Sequence, residues 1–443
     1  MKNISKFEYG VYASGIAGQN ILYNFMSMYI MFFFTDLLGI ASKTATMIVV
    51  AASLWDAVND PAMGLIADKT RTKFGKFRPY LFGGSVLILI TTTLCYSNFN
   101  VAPKIAIAIA AATYILWGMS FTVSDIPIWA LSSVASDEPN ERNKMIAVGK
   151  IGATIGVVIC VLLSVKLLGL FGGERNIDAY FYAAMIVGFI AALGIFLTGV
   201  FVKERIEPAK QRVSIRENIR TVTKNKSLMF LVISLFMLNL INSIRQVSQM
   251  YFTVYTWGSA DYVTSIGISL IIGMLIGISM TPKLIEKFEK KHILFAACLS
   301  GAAVSLIPYF ALSNVLLGLI SLGLSFTTIG VMIITSTSML IDAIDYSEWK
   351  LGFRGEGIVF SLNTFVTKLG AAFARLVLGF GLIAINYTEN QPITDSTIAC
   401  FSALIYLVPA IFCILTIIPL MFYKIDNKTI GQIENELRQR RVH

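Results

Sequence analysis

Residues 42–79 read SKTATMIVVAASLWDAVNDPAMGLIADKTRTKFGKFRP. The first two-thirds form an apolar run long enough to cross a hydrocarbon core of about 30 Å, and the last third is a short basic loop. Two carboxylates, Asp56 and Asp60, interrupt the run. An ionised Asp at the bilayer centre costs roughly 2.5–3.5 kcal/mol, so both acids are expected to face a cavity and to be functional. Spaced four apart, they share one helix face, with Asn59 beside them. Two carboxylates and an amide oxygen are hard ligands that suit a small hard cation better than a proton alone. The alternative is a buried ionic network that only fixes the bundle. No basic residue inside the first four helices could neutralise all the acids there.

The rest of the chain repeats the apolar pattern. Of 443 residues 56% are hydrophobic and 14% charged, whereas a soluble domain carries about 25% charged residues, so the outer surface is expected to be lipid. Helices are expected at roughly 9–34, 42–67, 79–97, 105–133, 145–171, 179–202, 227–256, 262–281, 293–312, 314–341, 357–385 and 398–423. The first run has no small-residue cleavage pattern behind it and reads as a helix, not a leader. The net charge of +10 might suggest nucleic acid, but position argues otherwise: 28 Lys and Arg fall on the side carrying both termini and 4 on the other. Lys150, Arg245, Lys368 and Arg375 lie within helices. The heavy side is expected to be cytoplasmic, which makes the helix count even.

Residues 1–202 and 227–423 read as two six-helix bundles, 203–226 as a cytoplasmic connector and 424–443 as a cytoplasmic tail. The loop after the second helix of each half is basic, GLIADKTRTKFGKFRP in the first and TPKLIEKFEKKH in the second, a sign of an internal repeat. Such halves place a substrate site near the membrane midplane. Cys95, Cys160, Cys298, Cys400 and Cys413 lie in apolar segments without pairing or metal spacing, and the two histidines are His292 and His443. Neither a metal centre nor a histidine relay can be built from them.

Asp125 on the fourth helix is the third membrane acid, with Thr122 one turn before it as a further oxygen ligand. Trp129 lies four residues after Asp125, and a carboxylate beside an indole is a frequent pair for sugar hydroxyls and a pyranose C–H face. Trp129 could instead be an interfacial belt residue. Gln19 and Asn20, with Asn24 beyond, are amides in an apolar helix that face a cavity or glue helices together. In the second half Asn363, Thr364 and Thr367 precede Lys368, the best candidate to reach the acids. The charges from Asp342 to Lys350, running into Arg354 and Glu356, read as a gate or structural network.

Three strings make a resemblance specific: Trp55-Asp56-Ala-Val-Asn59-Asp60-Pro61, Arg71-Thr-Lys-Phe-Gly75-Lys76-Phe-Arg78-Pro79, and Asp342 to Gly357. In that order, and over essentially the whole chain, they resemble the glycoside–pentoside–hexuronide:cation symporters of the major facilitator superfamily. Gly64-x-x-x-Asp68 with Gly75-Lys76 is similar to that superfamily's loop signature. The resemblance implies a Na⁺ site at Asp56, Asn59, Asp60 and Thr122. It implies sugar contacts at Asp125 and Trp129, with Lys368 as the eleventh-helix lysine. The sugar end departs from the family's pattern. Asn20 stands where the matching carrier has Asp, Gln19 where it has Lys, and Lys150 where it has Arg, while its tenth-helix Trp has no counterpart near Ile333.

The expected fold is thus an all-α membrane protein with twelve transmembrane helices in two six-helix bundles, the major facilitator fold. The expected function is symport of Na⁺ or H⁺ with a sugar or glycoside by alternating access. Substrate contacts are expected at Gln19, Asn20, Asp125, Trp129, Lys150, Asn363, Thr364 and Lys368. An anionic hexuronide, a sulfonated sugar or a lipid is the alternative cargo. The partners are the small molecule, the coupling cation and the bilayer of the cell (inner) membrane, with no organic cofactor, no nucleic acid and a functional monomer. Without a nucleophile–base pair or metal cluster, an enzyme is not expected. A reporter that works only in the cytoplasm, fused after His443, should be active; activity of a periplasmic reporter there would overturn the charge count.

Overall fold

A computed structural model describes residues 4–136, 138–205, 225–312, 314–351, 356–387, 394–426, 429–433 and 436. The first six helices are α1 (Lys6–Phe32, continued by a π-helical turn at Phe33–Leu37), α2 (Ser42–Lys69), α3 (Arg78–Cys95), α4 (Pro103–Val134), α5 (Pro139–Leu170) and α6 (Ile177–Phe201). They belong to one compact unit, Met1–Lys210 with Leu382–Pro392. A second unit, Gln211–Gly381 with Ile393–His443, holds α7 (Lys226–Thr256), α8 (Asp261–Lys287), α9 (Lys290–Leu306), α10 (Val315–Leu351), α11 (Glu356–Ala384) and α12 (Asp395–Met421, through a π-helical turn at Ala403–Leu407). Among the described residues ten helices, α3 to α12, are long and apolar enough to cross a membrane. The two that fall short, α1 and α2, carry Gln19, Asn20 and Asn24 and Asp56, Asn59 and Asp60.

Lipid supplies no hydrogen bonds, so each helix must satisfy its own polar groups. Hydroxyls inside the helices bend back onto the preceding turn, as Thr113 does to the Ile109 carbonyl at 2.8 Å and Thr281 to that of Gly277 at 2.7 Å. Helix starts are capped by Asn176, Asn225 and Thr394, and α1 by a reciprocal pair in which Ser5 and Glu8 each accept from the other's backbone. Burial opposes ionisation of Glu8. The Ser5 amide and hydroxyl and the Arg205 guanidinium, 2.8 Å away, outweigh it and hold that carboxyl below its ordinary 4.5.

The pairing inside the two units follows one scheme. In the first, α1 packs on α6, α3 on α6 and α4, and α2 on α4. In the second, α7 packs on α12, α9 on α12 and α10, and α8 on α10. The weak loop signal in the sequence thus reflects a repeated arrangement of helices. Small residues set the approach. A Cβ on Gly152 or Gly156 of α5 would overlap the carbonyl oxygens of Ala13 and Ala17 in α1, and one on Gly273 or Gly277 of α8 those of Gly323 and Thr327 in α10. This Gly-x-x-x-Gly spacing lets backbones touch where no hydrophobic effect drives helices together.

Two details differ from the sequence expectation. Helix α10 runs to Leu351, ten residues beyond the apolar run, because Asp342 and its neighbours find partners inside their own unit: Lys290 holds Asp342 at 2.7 Å, and Asn225 donates to the Ala343 carbonyl and Ser347 hydroxyl. The connector expected at 203–226 lies outside the described residues over 206–224. Its first residues are not free linker. The Glu204 carboxylate accepts from the amides of Lys76, Phe77 and Arg78 at 2.7, 2.7 and 3.0 Å, an acid at the positive end of α3. Gly75 (φ +110°) lies so close to that carboxylate that a side chain would displace it. In the tail, Ile430 and Ile433 are buried.

Gly277→Ala should lower the thermal stability of the detergent-solubilised protein by about 1–3 kcal/mol. Gly83→Ala, with nothing within 4 Å of the added carbon, should be neutral or stabilising by roughly 0.5–1 kcal/mol. Equal effects would mean the α8–α10 approach is not set by glycine.

Candidate functional site

Helix α4 carries Gly118, Thr122, Asp125 and Trp129 at spacings of four, three and four, which places them on one stripe. Each rung of the stripe meets a different partner. At Gly118 the Asp56 Oδ1 of α2 lies 2.6 Å from where a Cβ would stand. One turn on, the Thr122 hydroxyl donates to Asp60 Oδ1 at 2.8 Å. The next rung, Asp125, accepts from Gln19 Nε2 of α1 at 2.9 Å. The last, Trp129, packs against Gly149 of α5, where Tyr12 and Ile16 of α1 also converge. The stripe spans about 16 Å along the helix axis.

The structure therefore brings Asp56, Asp60 and Thr122 together, as the sequence placed them, and joins Gln19 to Asp125. Thr122 and Gln19 are 3% and 1% exposed, while the three acids are partly accessible. Asn59 follows on α2, its buried Nδ2 without a hydrogen-bond partner. Gln19 Oε1 is likewise buried without a partner. The donors fit a monovalent cation: two carboxylates, and a hydroxyl that gives its proton to Asp60 and keeps its lone pairs. Among the described residues no three His, Cys, Asp or Glu side chains converge as a transition-metal centre requires.

Other expected residues are placed differently. Asn20 donates its amide to the Ile16 carbonyl of its own helix at 3.0 Å, and Asn24 to that of Asn20 at 2.7 Å. Lys150 is exposed beside Gly149. Asn363, Thr364 and Lys368 lie on α11 in the second unit, the last two exposed, with the Thr367 hydroxyl bonded to the Asn363 carbonyl at 2.9 Å. Arg245, named with the membrane-embedded bases, is 4% exposed and bonded inside its own unit, so it is not a cavity-facing group.

Two neighbours escaped the sequence. Gly118 is the only residue type that leaves room for Asp56 at that rung, and one glycine in an apolar helix gives no signal until its partner is known. Trp117 is buried, stacked between Tyr114 and Phe121 with centroids at 5.7 and 5.4 Å, and its Nε1 lacks a partner. Tyr23 of α1 extends this column against Phe121 at 5.4 Å. Pro127, between Asp125 and Trp129, removes one helix hydrogen bond from that turn.

A family described as MFS/sugar transport protein matches residues 11–427. The chain is 29% identical over 435 residues to an inner membrane symporter of Escherichia coli (strain K12), covering 97% of this chain and 94% of that protein. It is 26% identical to the isoprimeverose transporter of Lactiplantibacillus pentosus, over 95% and 89% of the two chains. In fold it is similar to the crystal structure of a D-xylose-proton symporter, with a TM-score of 0.68 at 13% identity and coverage of 95% and 98%.

Gly118→Ala should destabilise the protein by about 1–3 kcal/mol, because the new methyl meets the Asp56 carboxylate. In Asp56→Ala the same substitution should cost less than about 0.5 kcal/mol, a coupling that a double-mutant cycle of thermal unfolding reads directly. Additive effects would place Asp56 elsewhere.

Proposed function

Because the chain belongs to the MFS/sugar transport family, and so is a multi-pass membrane transporter and not an enzyme, we propose that it carries one Na⁺ or H⁺ together with a neutral sugar or glycoside by alternating access. One observation carries this reading. The Asp60–Thr122 bond and the Asp125–Gln19 bond sit one turn apart on the same face of α4.

Asp56 and Asp60 lie about 5–6 Å apart by helix geometry and repel by roughly 3 kcal/mol at an effective dielectric constant of 20. A monovalent cation held by both carboxylates, the Thr122 hydroxyl and the Asn59 amide oxygen relieves that repulsion. Fixing Thr122 fixes the turn that aims Asp125. The Asp125 carboxylate then accepts from sugar hydroxyls, Gln19 Oε1 adds a second acceptor, and the Trp129 indole covers an apolar C–H face. By linkage the sugar raises cation affinity by the factor with which the cation raises sugar affinity. Asn20, Lys150, Asn363, Thr364 and Lys368 join the sugar set on sequence alone. The reading also includes an inner-membrane location, cytoplasmic termini and a working monomer. One observation favours an anionic cargo as the second reading: Lys150, exposed on α5, follows Gly149, against which Trp129 packs, so a base lies on the helix that meets that end of the stripe.

The test is sugar affinity with and without Na⁺, across neutral glycosides, uronides and a sulfonated sugar. Wild type should bind a neutral glycoside more tightly with Na⁺. Asp56→Cys and Asp60→Cys should keep weak sugar binding and lose the stimulation, whereas Trp129→Ala should weaken sugar by about tenfold, near 1.4 kcal/mol, and leave cation affinity nearly unchanged. Full Na⁺ stimulation in either Asp variant would place the ion elsewhere. A strong pH dependence without Na⁺ stimulation would assign the pair to H⁺, and preference for a uronide or sulfonate would establish the second reading.

A further inference from the structure

Arg245 lies in the interior of the second unit, 4% exposed, on a membrane-spanning helix. Its Nε donates to the Ile405 carbonyl at 3.2 Å and its Nη2 to the Ser305 hydroxyl at 2.7 Å, with the Phe326 ring centred 5.4 Å from the guanidinium. Its Nη1 is buried without an acceptor. Among the described residues no carboxylate forms an ion pair with it. A buried cation is expensive unless paired, and a guanidinium cannot escape by losing its proton at neutral pH.

The same helices carry further unpartnered donors among the described residues. On α7, Ser248 follows Arg245 by three residues; on α12, Ser402 and Tyr406 are four apart and flank Ile405, whose carbonyl the guanidinium holds. The hydroxyls of Ser248, Ser402 and Tyr406 are all buried without partners, and Tyr406 lies within electrostatic reach of Arg245. The held carbonyl belongs to the π-helical turn Ala403–Leu407, where the wider ring releases a carbonyl from the regular ladder. Arg245 thus carries a fixed positive charge with an open Nη1 into an interior where α7 and α12 also hold three buried hydroxyls without partners.

We propose that Arg245 binds a small monovalent anion, chloride in the cell, through Nη1 with the Tyr406 hydroxyl as second donor. This site is separate from the α4 stripe and stabilises the second unit. Full-length protein in detergent, held at constant Na⁺ while gluconate is exchanged for chloride or bromide, should show a saturable rise in unfolding temperature. Arg245→Gln should abolish that response. Tyr406→Phe, which keeps the charge, should shift the anion's half-saturation about tenfold upward, as expected for one hydrogen bond to a charged group. Crystals soaked in bromide should show anomalous density beside Nη1. Should Arg245→Gln fail to fold, Tyr406→Phe and the bromide map decide. A response equal in wild type and variants overturns the proposal, as does bromide density absent from Nη1, which would leave a water there.

Discussion

A charge or dipole carried into hydrocarbon has to be answered by protein, because lipid offers no hydrogen bonds and almost no dielectric screening. Most of the described polar chemistry follows from that one requirement. Serines and threonines fold back on their own helices, and Asp60 and Asp125 each receive a donor from a neighbouring helix. Where α10 carries Asp342 past the apolar run, Lys290 of the same unit follows it. The acids on α2 and α4 and the guanidinium on α7 obey the same rule with opposite sign, each drawing its bonds from its own bundle.

The same requirement explains why close packing and function meet on α4. A polar pair has to be short to be strong, and a short pair needs helices that approach closely. Gly118 supplies that closeness beside Asp56, as Gly152 and Gly156 do between α5 and α1. Bulkier residues at those positions would widen the gaps and strand the polar groups the helices are built to join.

Much of this was legible in the sequence. Apolar runs of membrane length located the ten helices α3 to α12, α1 and α2 were read from runs broken by polar residues, and a membrane acid is so costly that Asp56, Asp60 and Asp125 announced themselves. The four-residue spacing gave Asp56 and Asp60 one face and grouped Thr122 with them, whereas Gln19 was expected only to face the cavity and its bond to Asp125 came from the structure. What stayed hidden depends on distant partners. Glu204 and Arg205 read as the opening of a polar connector, yet one accepts three amides at the start of α3 and the other holds Glu8. Arg245 read only as a base within a helix, because nothing in a sequence distinguishes a helix face that looks into a bundle from one that lines a cavity. Gly118 was silent for the same reason.

Because the Gly118 and Thr122 rungs of the α4 stripe answer to α2 while the Asp125 and Trp129 rungs answer to α1 and α5, the two ends of the stripe can vary independently. Pro127 takes one backbone bond, that to the Val123 carbonyl, out of the turn that holds Asp125. Such a helix is modular. Its Trp129 end can be refitted to a new shape by substitutions on α1 and α5, while the pairings with α2 stay as they are. A lineage built on this plan could diversify what it recognises without reinventing how it is driven.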